Sequence, residues 1–169
     1  MEKQANNFFN KINIKELNTL PIIFADNLST PENIGAVLRL ADNIGVKKVF
    51  FINDDFNFRE SKIKSLAKNA FKNIDWEIIN ENQILEKLPS DYKLIAIETY
   101  QNSSNLYKTK LNAKSAFVIG NEKHGINDSV LKLCDNFVHI PMHGNTKSMN
   151  VSHSLTVVLF EWLRQTIYN

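Results

Sequence analysis

Residues 140–152 read Ile140-Pro141-Met142-His143-Gly144-Asn145-Thr146-Lys147-Ser148-Met149-Asn150-Val151-Ser152. This polar stretch joins an apolar run, Phe137–Ile140, to an apolar helical pattern that extends from Ser152 to Ile167. Connections between strands and helices are usually ~2–6 residues long, and longer ones are often functional. In an open α/β sheet, ligands bind at the carboxyl ends of the strands. The stretch therefore predicts an α/β fold in which this loop forms part of a ligand site.

Six apolar runs rich in Ile, Val and Phe predict the strands of the sheet. They are Ile22–Ala25, Val49–Ile52, Trp76–Ile79, Leu94–Ile97, Ala116–Ile119 and Phe137–Ile140. Because the runs are continuous rather than alternating, we expect strands that are buried on both faces. Helical patterns lie between most of them, which predicts a mostly parallel six-stranded sheet with helices on both faces.

Two of the helical patterns are well defined. The first has Thr30 as a cap, Pro31 in its first turn and Gly45 at its exit. The second is predicted as one helix from residue 63 to residue 74, on the spacing of its apolar residues. The segment from Leu106 to Ala113 is predicted as a loop.

The composition is that of an ordinary globular protein. The chain has 169 residues, of which 43% are hydrophobic and 22% charged, and its net charge of +2 permits a nucleic-acid partner without arguing for one. We expect an N-terminal extension at residues 1–19 and a single domain at residues 20–169. The one cysteine, Cys134, cannot form an internal disulfide, which suits a cytoplasmic location.

Several kinds of site are not expected. The amino terminus does not resemble a signal peptide, and no run approaches the ~18 apolar residues of a membrane helix. The five glycines form neither a G-x-G-x-x-G pattern nor a P-loop, which argues against a dinucleotide site. The four histidines lack a zinc-ligand spacing with Cys134, so we expect no metal.

The last helical pattern has two apolar faces. One face, with Leu155 and Trp162, can pack on the sheet. The other, with Phe160 and Tyr168, needs a further cover. Either a partner subunit or the rest of the same chain can supply that cover.

Three polar clusters lie after or near predicted strand ends. In the first, Arg39 stands on an otherwise apolar helix, which suits phosphate recognition or an ordinary surface position. In the second, Gly120-Asn121-Glu122 follows a strand and forms either a close backbone approach to a ligand or a plain turn. In the third, Ser148 and Asn150 either line a site or cap the last helix.

Taken together, the clusters resemble the motifs of the SPOUT superfamily, specifically its SpoU/TrmH branch of RNA ribose 2′-O-methyltransferases. The resemblance runs in order along residues 21–167. The matching residues are Asn33, Gly35 and Arg39 in motif one, Gly120, Asn121, Glu122 and Gly125 in motif two, and Ile140-Pro141-Met142, Gly144 and Ser148-Met149-Asn150-Val151-Ser152 in motif three.

The resemblance implies a fold, a cofactor and partners. The fold is a SPOUT-type α/β knot, in which the carboxyl-terminal part of the chain forms a deep trefoil knot. The knot loops bind S-adenosylmethionine, and no metal takes part. The partners are RNA and a second copy of the chain, with motif one and the last helix near the interface of a homodimer.

The resemblance also assigns site residues. The catalytic set is Arg39, Asn33, Glu122, Ser148 and Asn150. The cofactor-binding set is Ile119, Gly120, Asn121, Ile140, Met142, Gly144 and Met149. From the basic run between Arg59 and Lys72, we expect either RNA contacts or a solvated face, and the predicted RNA-binding residues are Lys64, Lys68, Lys72 and Lys123.

The resemblance puts Arg39 beside the reacting hydroxyl. An arginine pKa of ~12.5–13.8 is far from the value near ~7 that suits a general base at neutral pH. We therefore expect Arg39 to grip a phosphate and to stabilise a developing alkoxide. His124 and His143 are further candidates for the base.

The RNA substrate is predicted to be tRNA. Family members that act on large ribosomal RNA often carry an added amino-terminal RNA-binding domain, for which this chain has no room. Ribosomal RNA is the alternative substrate. A SPOUT enzyme that methylates a base, and a non-catalytic RNA-binding factor with the same fold, are the alternative functions.

Overall fold

The computed structural model of the chain describes residues 5, 7, 8 and 15–168, so most of the predicted N-terminal extension lies outside the described residues. The described part contains seven strands, namely β1 (Ile22–Asp26), β2 (Lys48–Ile52), β3 (Trp76–Ile79), β4 (Lys93–Ile97), β5 (Ser104–Asn105), β6 (Ser115–Ile119) and β7 (Asn136–His139). Six of them are the predicted strands, each within one residue at either end. The prediction of six strands is corrected by β5, which pairs with β7 at the edge of the sheet. Its two residues are polar, so no apolar run signals it.

The described helices are α1 (Pro31–Ile44), α2 (Glu60–Ala67), α3 (Ala70–Asn73), α4 (Ile84–Lys87), α5 (Asp128–Leu131) and α6 (Val151–Tyr168), with short 3-10 turns at Glu81–Gln83 and Leu106–Lys108. The predicted ends of α1 are confirmed. The Thr30 hydroxyl accepts a hydrogen bond from the Asn33 N–H at 3.3 Å. Gly45 closes the helix at φ 78°, a conformation that glycine adopts without strain. No helix in the described ranges is long and apolar enough to cross a membrane.

The prediction of one helix from residue 63 to residue 74 is wrong, because two short helices occupy this region. The backbone breaks at Lys68, which has φ 56° and ψ −130°. Ile63, Ala67 and Ala70 are nevertheless buried, as their spacing predicts. The apolar pattern thus reported the buried face correctly, but a lysine gives no sequence signal for a turn of this kind.

The strands lie in the order β3-β2-β1-β6-β4-β7-β5, and every neighbouring pair is parallel. Successive residues point to opposite faces, and both faces are buried. Ile23 and Phe51 pack in a cluster with residues of α1 and α6. Phe24 and Phe50 stack at 4.9 Å in a second cluster on the other face. Because the sheet is parallel, the carboxyl ends of all strands meet at one edge. The trefoil knot implied by the resemblance stays a prediction.

The two faces of α6 differ in burial. Leu155 and Trp162 are completely buried, and the Trp162 indole N–H donates to the Asn112 carbonyl oxygen at 3.0 Å. On the other face, Phe160 is 50% exposed and Tyr168 is 72% exposed. A single chain therefore covers one apolar face of this helix and leaves two aromatic side chains uncovered.

The contact between α1 and α2 depends on Gly35. A Cβ added to Gly35 would lie 2.6 Å from the Leu66 Cβ and 3.3 Å from the Ala67 backbone nitrogen. Real Cβ atoms do not approach a neighbouring Cβ so closely, and a Cβ cannot rotate away. The two helices must separate to accommodate any side chain at this position.

Replacing Gly35 with alanine is expected to lower the free energy of unfolding by ~1–2 kcal/mol, because the strain of overpacking exceeds the gain in helix propensity. Urea denaturation followed by circular dichroism measures the change. Gly144→Ala is the matched control, since open space surrounds the position of its Cβ. Equal stability of the two variants would contradict the assigned contact.

Candidate active site

A cavity of about 290 Å³ opens at the carboxyl edge of the sheet. Its walls come from residues 97–99 after β4, from residues 120–125 after β6, and from the chain that leads from β7 into α6. The loop of residues 140–150 supplies one wall, at the strand ends where the sequence predicts a ligand site. The lining mixes apolar side chains with a few carboxylate, amide and hydroxyl groups, as ligand pockets usually do.

The turn after β6 is built around Gly120. Any Cβ at Gly120 would overlap the backbone of Gly125 and Ile126. The Asn121 and Gly125 N–H groups each donate to the other residue's carbonyl oxygen, at 2.9 Å in both cases. The Asn121 side-chain oxygen accepts two more backbone N–H groups of the same turn. The turn is therefore tightly fixed, and it holds Glu122 in one place.

The Glu122 carboxylate accepts four hydrogen bonds from the start of α1. The Ser29 N–H donates at 2.9 Å and its hydroxyl at 2.6 Å, both to Oε2. The Thr30 hydroxyl donates at 3.2 Å and the Asn33 amide at 2.6 Å, both to Oε1. The carboxylate thus lies at the amino terminus of a helix, where the helix dipole favours negative charge.

A second amide continues this chain of hydrogen bonds to α6. Asn150 Nδ2 donates to Asn33 Oδ1 at 3.1 Å, while Asn150 Oδ1 accepts the Ser152 N–H at 2.9 Å and the His153 N–H at 3.4 Å. A backbone N–H only donates and a carboxylate only accepts, so both amide orientations are fixed by their partners. We call the set Asn150, Asn33 and Glu122 the amide relay. Asn150 both caps α6 and belongs to the site, so its two alternative roles hold together.

The relay keeps Glu122 ionised. Partial burial by itself would raise the pKa of this carboxyl group, but hydrogen bonds from Ser29 and Asn33 outweigh that effect and lower the pKa to about 2. Glu122 is therefore a fixed negative charge at neutral pH and cannot serve as a proton acceptor there.

Most of the predicted site residues line the cavity. They are Gly120, Asn121, Glu122, Lys123, Ile140, Met142, Ser148, Met149 and Asn150. Among the residues predicted to bind the cofactor or to act in catalysis, four do not line it, namely Arg39, which is described below, and three others. Ile119 is buried in the core, Asn33 is buried behind Glu122 and Asn150, and Gly144 has open space around it.

Arg39 lies apart from this cavity. It is exposed on α1, and it lines a different cavity together with Asp42, Asn43 and residues 67–70. The two cavities have no lining residue in common. Among the described residues, no hydrogen bond or ion pair engages its guanidinium group. Within one chain, the structure therefore does not bring Arg39 together with the amide relay.

The predicted RNA-binding lysines fall in two places. Lys64, Lys68 and Lys72 are all exposed, and the break at Lys68 places Lys64 and Lys72 on two different helices, α2 and α3. Their neighbour Lys62 is neutralised by Glu32, at 2.9 Å. Lys123 lines the cavity at the sheet edge instead.

Several residues of the cavity wall were missed by the sequence analysis. They include Glu98, Thr99, His139, Lys147 and Ser154. Glu98 and Thr99 directly follow a predicted strand, so their position at its carboxyl end was a usable signal. His139 lay inside a predicted strand and gave none. In the described ranges, no group of three or more His, Cys, Asp or Glu side chains is arranged to hold a metal ion.

The parallel sheet, with a cavity at its carboxyl edge, is an α/β domain whose fold matches that of solved SpoU methyltransferases. The sequence profile of the SpoU rRNA Methylase family matches residues 21–160. The chain belongs to this family.

Relatives and solved structures extend the comparison. The chain is 33% identical over 148 residues to a 23S rRNA (guanosine-2′-O-)-methyltransferase of Neisseria meningitidis, covering 86% of this chain and 59% of the relative. It is 26% identical over 147 residues to a tRNA (guanosine(18)-2′-O)-methyltransferase of Aquifex aeolicus, covering 85% of this chain and 69% of the relative. Its fold matches that of the SpoU methyltransferase AviRb of Streptomyces viridochromogenes, solved in complex with AdoMet, at a TM-score of 0.76 and 20% identity. The match covers 92% of this chain and 60% of AviRb. The chain spans about 60% of the length of the rRNA methyltransferase relatives that it matches.

Glu122→Gln is expected to destabilise the fold more at neutral pH than in acid. At neutral pH the wild-type carboxylate only accepts hydrogen bonds, whereas a glutamine NH₂ group would face the donors of Ser29 or Asn33. The folded-state pKa of about 2 lies below the ordinary value of 4.5. The stability that the carboxylate contributes is therefore fully present above pH 4.5 and is lost as the pH falls through about 2. Urea denaturation of both proteins at a series of pH values should show their difference shrinking across this window.

Glu86→Gln provides the control for this experiment, because Glu86 is an exposed carboxylate on α4. Its effect on the free energy of unfolding should be small at every pH. If Glu122→Gln were equally destabilising at every pH, the hydrogen bonds would not depend on the charge of Glu122, and the assigned role would be wrong.

Proposed function

We propose that this chain transfers a methyl group from S-adenosylmethionine to a ribose 2′-hydroxyl of RNA. The observation that carries the proposal is the amide relay, which joins the three motif segments at the rim of one cavity. The family and the named activities of the two relatives support it. The rival is a non-catalytic RNA-binding factor, and the fully formed relay argues against it. Failure of the protein to bind S-adenosylmethionine would favour that rival.

The lining of the cavity fits S-adenosylmethionine. Ile140, Met142 and Met149 offer an apolar surface to an adenine ring. Gly120 lines the same cavity, and its missing side chain makes room for the backbone of Gly125 and Ile126. Glu98 and Glu122 line the same cavity, and their carboxylates attract a cationic ligand. When bound, the cofactor supplies a methyl group on a positively charged sulfur atom.

The chain's own contribution is mainly alignment. Holding two reactants in line can lower a barrier by up to ~7–11 kcal/mol. The relay fixes Asn150 at the start of α6, and Ser148 lies beside it on the lining. Because Glu122 is ionised and fully hydrogen-bonded, we assign it to positioning rather than to proton transfer. The exposed His124 and His143 remain the candidates for the base.

Arg39 is proposed to bind the phosphate next to the reacting ribose and to stabilise the developing alkoxide. Its separation from the cavity within one chain supports a homodimer, in which Arg39 of one protomer faces the cavity of its partner. The uncovered Phe160 and Tyr168 on α6 support the same arrangement, since an apolar helix face needs a cover.

We keep tRNA as the proposed substrate, with ribosomal RNA as the second candidate. The Aquifex aeolicus relative is named for tRNA, and the Neisseria meningitidis relative, which is more similar, is named for 23S rRNA. Incubating each RNA with labelled cofactor, followed by ribonuclease digestion and mass spectrometry, identifies the methylated nucleotide. The same products distinguish a methylated ribose from a methylated base.

Replacing Arg39 with alanine is expected to lower the rate of methyl transfer by ~100- to 1,000-fold, the range for losing one group that stabilises an oxyanion. Cofactor binding, measured by calorimetry, should remain nearly unchanged because Arg39 is proposed to contact an RNA phosphate rather than the cofactor. Arg39→Lys should recover only part of the activity, since lysine lacks the planar fork. Loss of cofactor binding in Arg39→Ala would show that the assigned role is wrong.

Lys64, Lys68 and Lys72 are proposed to contact RNA phosphates. Changing all three to glutamate should make the salt dependence of RNA binding less steep, by ~2 units in the slope of log K against log salt. Fluorescence anisotropy at several salt concentrations measures this slope.

The matched control changes three exposed lysines elsewhere on the surface, Lys108, Lys110 and Lys132, to glutamate. Both triple variants carry the same net charge, so only the position of the charges differs. An equal change of slope in the two triple variants would rule out a specific role for Lys64, Lys68 and Lys72.

A further inference from the structure

Glu98 is a cavity residue to which the family motifs assign no role. It follows β4, and its backbone N–H donates to the Val138 carbonyl oxygen at 3.1 Å, which ties it to the neighbouring strand β7. Its side chain is half-buried and lines the cavity. The position is fixed by the sheet, so the carboxylate is presented from a rigid element rather than from a mobile loop.

The hydrogen bonds of the Glu98 carboxylate leave capacity for a ligand. Oε1 accepts the Thr99 N–H at 2.8 Å, and Oε2 accepts the Ile126 N–H at a longer 3.3 Å. An ionised carboxylate has about four acceptor sites. Among the described residues, no lysine, arginine or histidine forms an ion pair with it. Both oxygens therefore retain acceptor sites next to the cavity.

The turn after β6 is shaped to admit this carboxylate. Gly125 has φ 71°, and a Cβ there would lie 2.6 Å from Glu98 Oε2. A side chain at Gly125 would push the carboxylate away. Holding the turn through Ile126 is one role for Glu98, but that role uses a single long hydrogen bond. Together with the bond from the Thr99 N–H, it leaves about two of the ~four acceptor sites unused.

The strand order places Glu98 between two chemically different parts of the cavity. Two members of the amide relay, Asn33 and Glu122, follow β1 and β6, and the apolar residues Ile140 and Met142 follow β7. β4 lies between β6 and β7. In S-adenosylmethionine, the ribose likewise lies between the reactive sulfur and the adenine ring.

We propose that Glu98 binds the ribose of the cofactor by accepting hydrogen bonds from its 2′- and 3′-hydroxyl groups. This inference rests on the proposed function, which requires the sulfur at the relay and the adenine against the apolar wall. Two adjacent hydroxyl donors match the two oxygens of one carboxylate, as in the acidic residue that binds ribose in dinucleotide folds. Glu98 is thus assigned as a determinant of cofactor affinity.

The test measures binding without catalysis. Wild type and Glu98→Gln are titrated by calorimetry with S-adenosylhomocysteine and with its 2′-deoxy and 3′-deoxy analogues. We expect Glu98→Gln to weaken binding of S-adenosylhomocysteine by ~10- to 100-fold, the range for a hydrogen bond to a charged group. Removing the hydroxyls should weaken binding to wild type but change little further in the variant. Such non-additive losses identify a direct contact.

A further ligand, 5′-methylthioadenosine, keeps the ribose and adenine but lacks the amino-acid part. It should lose affinity for Glu98→Gln by a similar factor. If its affinity is unchanged, the carboxylate faces the ammonium group, and the proposal is wrong. Additive losses with the deoxy analogues would equally overturn it and leave Glu98 with a role in holding the turn.

Two controls keep the experiment decisive. Thermal unfolding checks that Glu98→Gln is folded. If it is not, Glu98→Asp, which keeps the charge but shortens its reach, is taken through the same titrations. Glu86→Gln should bind every ligand as wild type does. Failure of wild type to bind S-adenosylhomocysteine at all would overturn the proposed function itself, which is a different outcome from altered discrimination by Glu98.

Discussion

The partly buried carboxylate of Glu122 is the charge around which three distant parts of the chain are arranged. A carboxylate leaving water needs hydrogen-bond donors, and Ser29, Thr30 and Asn33 provide them from the start of α1. Asn33 in turn engages Asn150, which caps α6. Satisfying one charge thus fixes the relative positions of the first helix, the turn after β6 and the last helix.

The hydrogen bonds of the amide relay all run in one donor-to-acceptor order, which suits a binding site. Donors run from the amino terminus of α6 through two amides to the carboxylate, and no member can reverse without leaving a partner unsatisfied. The chain's own groups supply every hydrogen bond of this relay. Preorganised polar groups do not have to reorient when charge develops in a reaction, which is how an alignment mechanism gains its advantage.

The predicted elements agree with the structure where buried apolar residues or capping residues mark them. The strands were found because both sheet faces are apolar, and α1 because Thr30, Pro31 and Gly45 mark its ends. The predictions were wrong where no buried apolar residue marks the structural feature. β5 is a polar edge strand, and Lys68 adopts a positive φ without a glycine to reveal it. Glu98 was missed because nothing in the local pattern separates a strand-end carboxylate that lines a cavity from one in water.

The sequence by itself determined the class of fold, the three motif segments and the family, since apolar periodicity and ordered motifs are properties of the chain. It left open whether Asn150 caps a helix or belongs to the site, and which motif residues touch one another. Only the tertiary structure decided these points, because residues 33, 122 and 150 meet through a parallel sheet that brings distant strand ends to one edge. It also separated Arg39 from them, because Arg39 lies beyond the first turns of α1, away from the end that Glu122 holds.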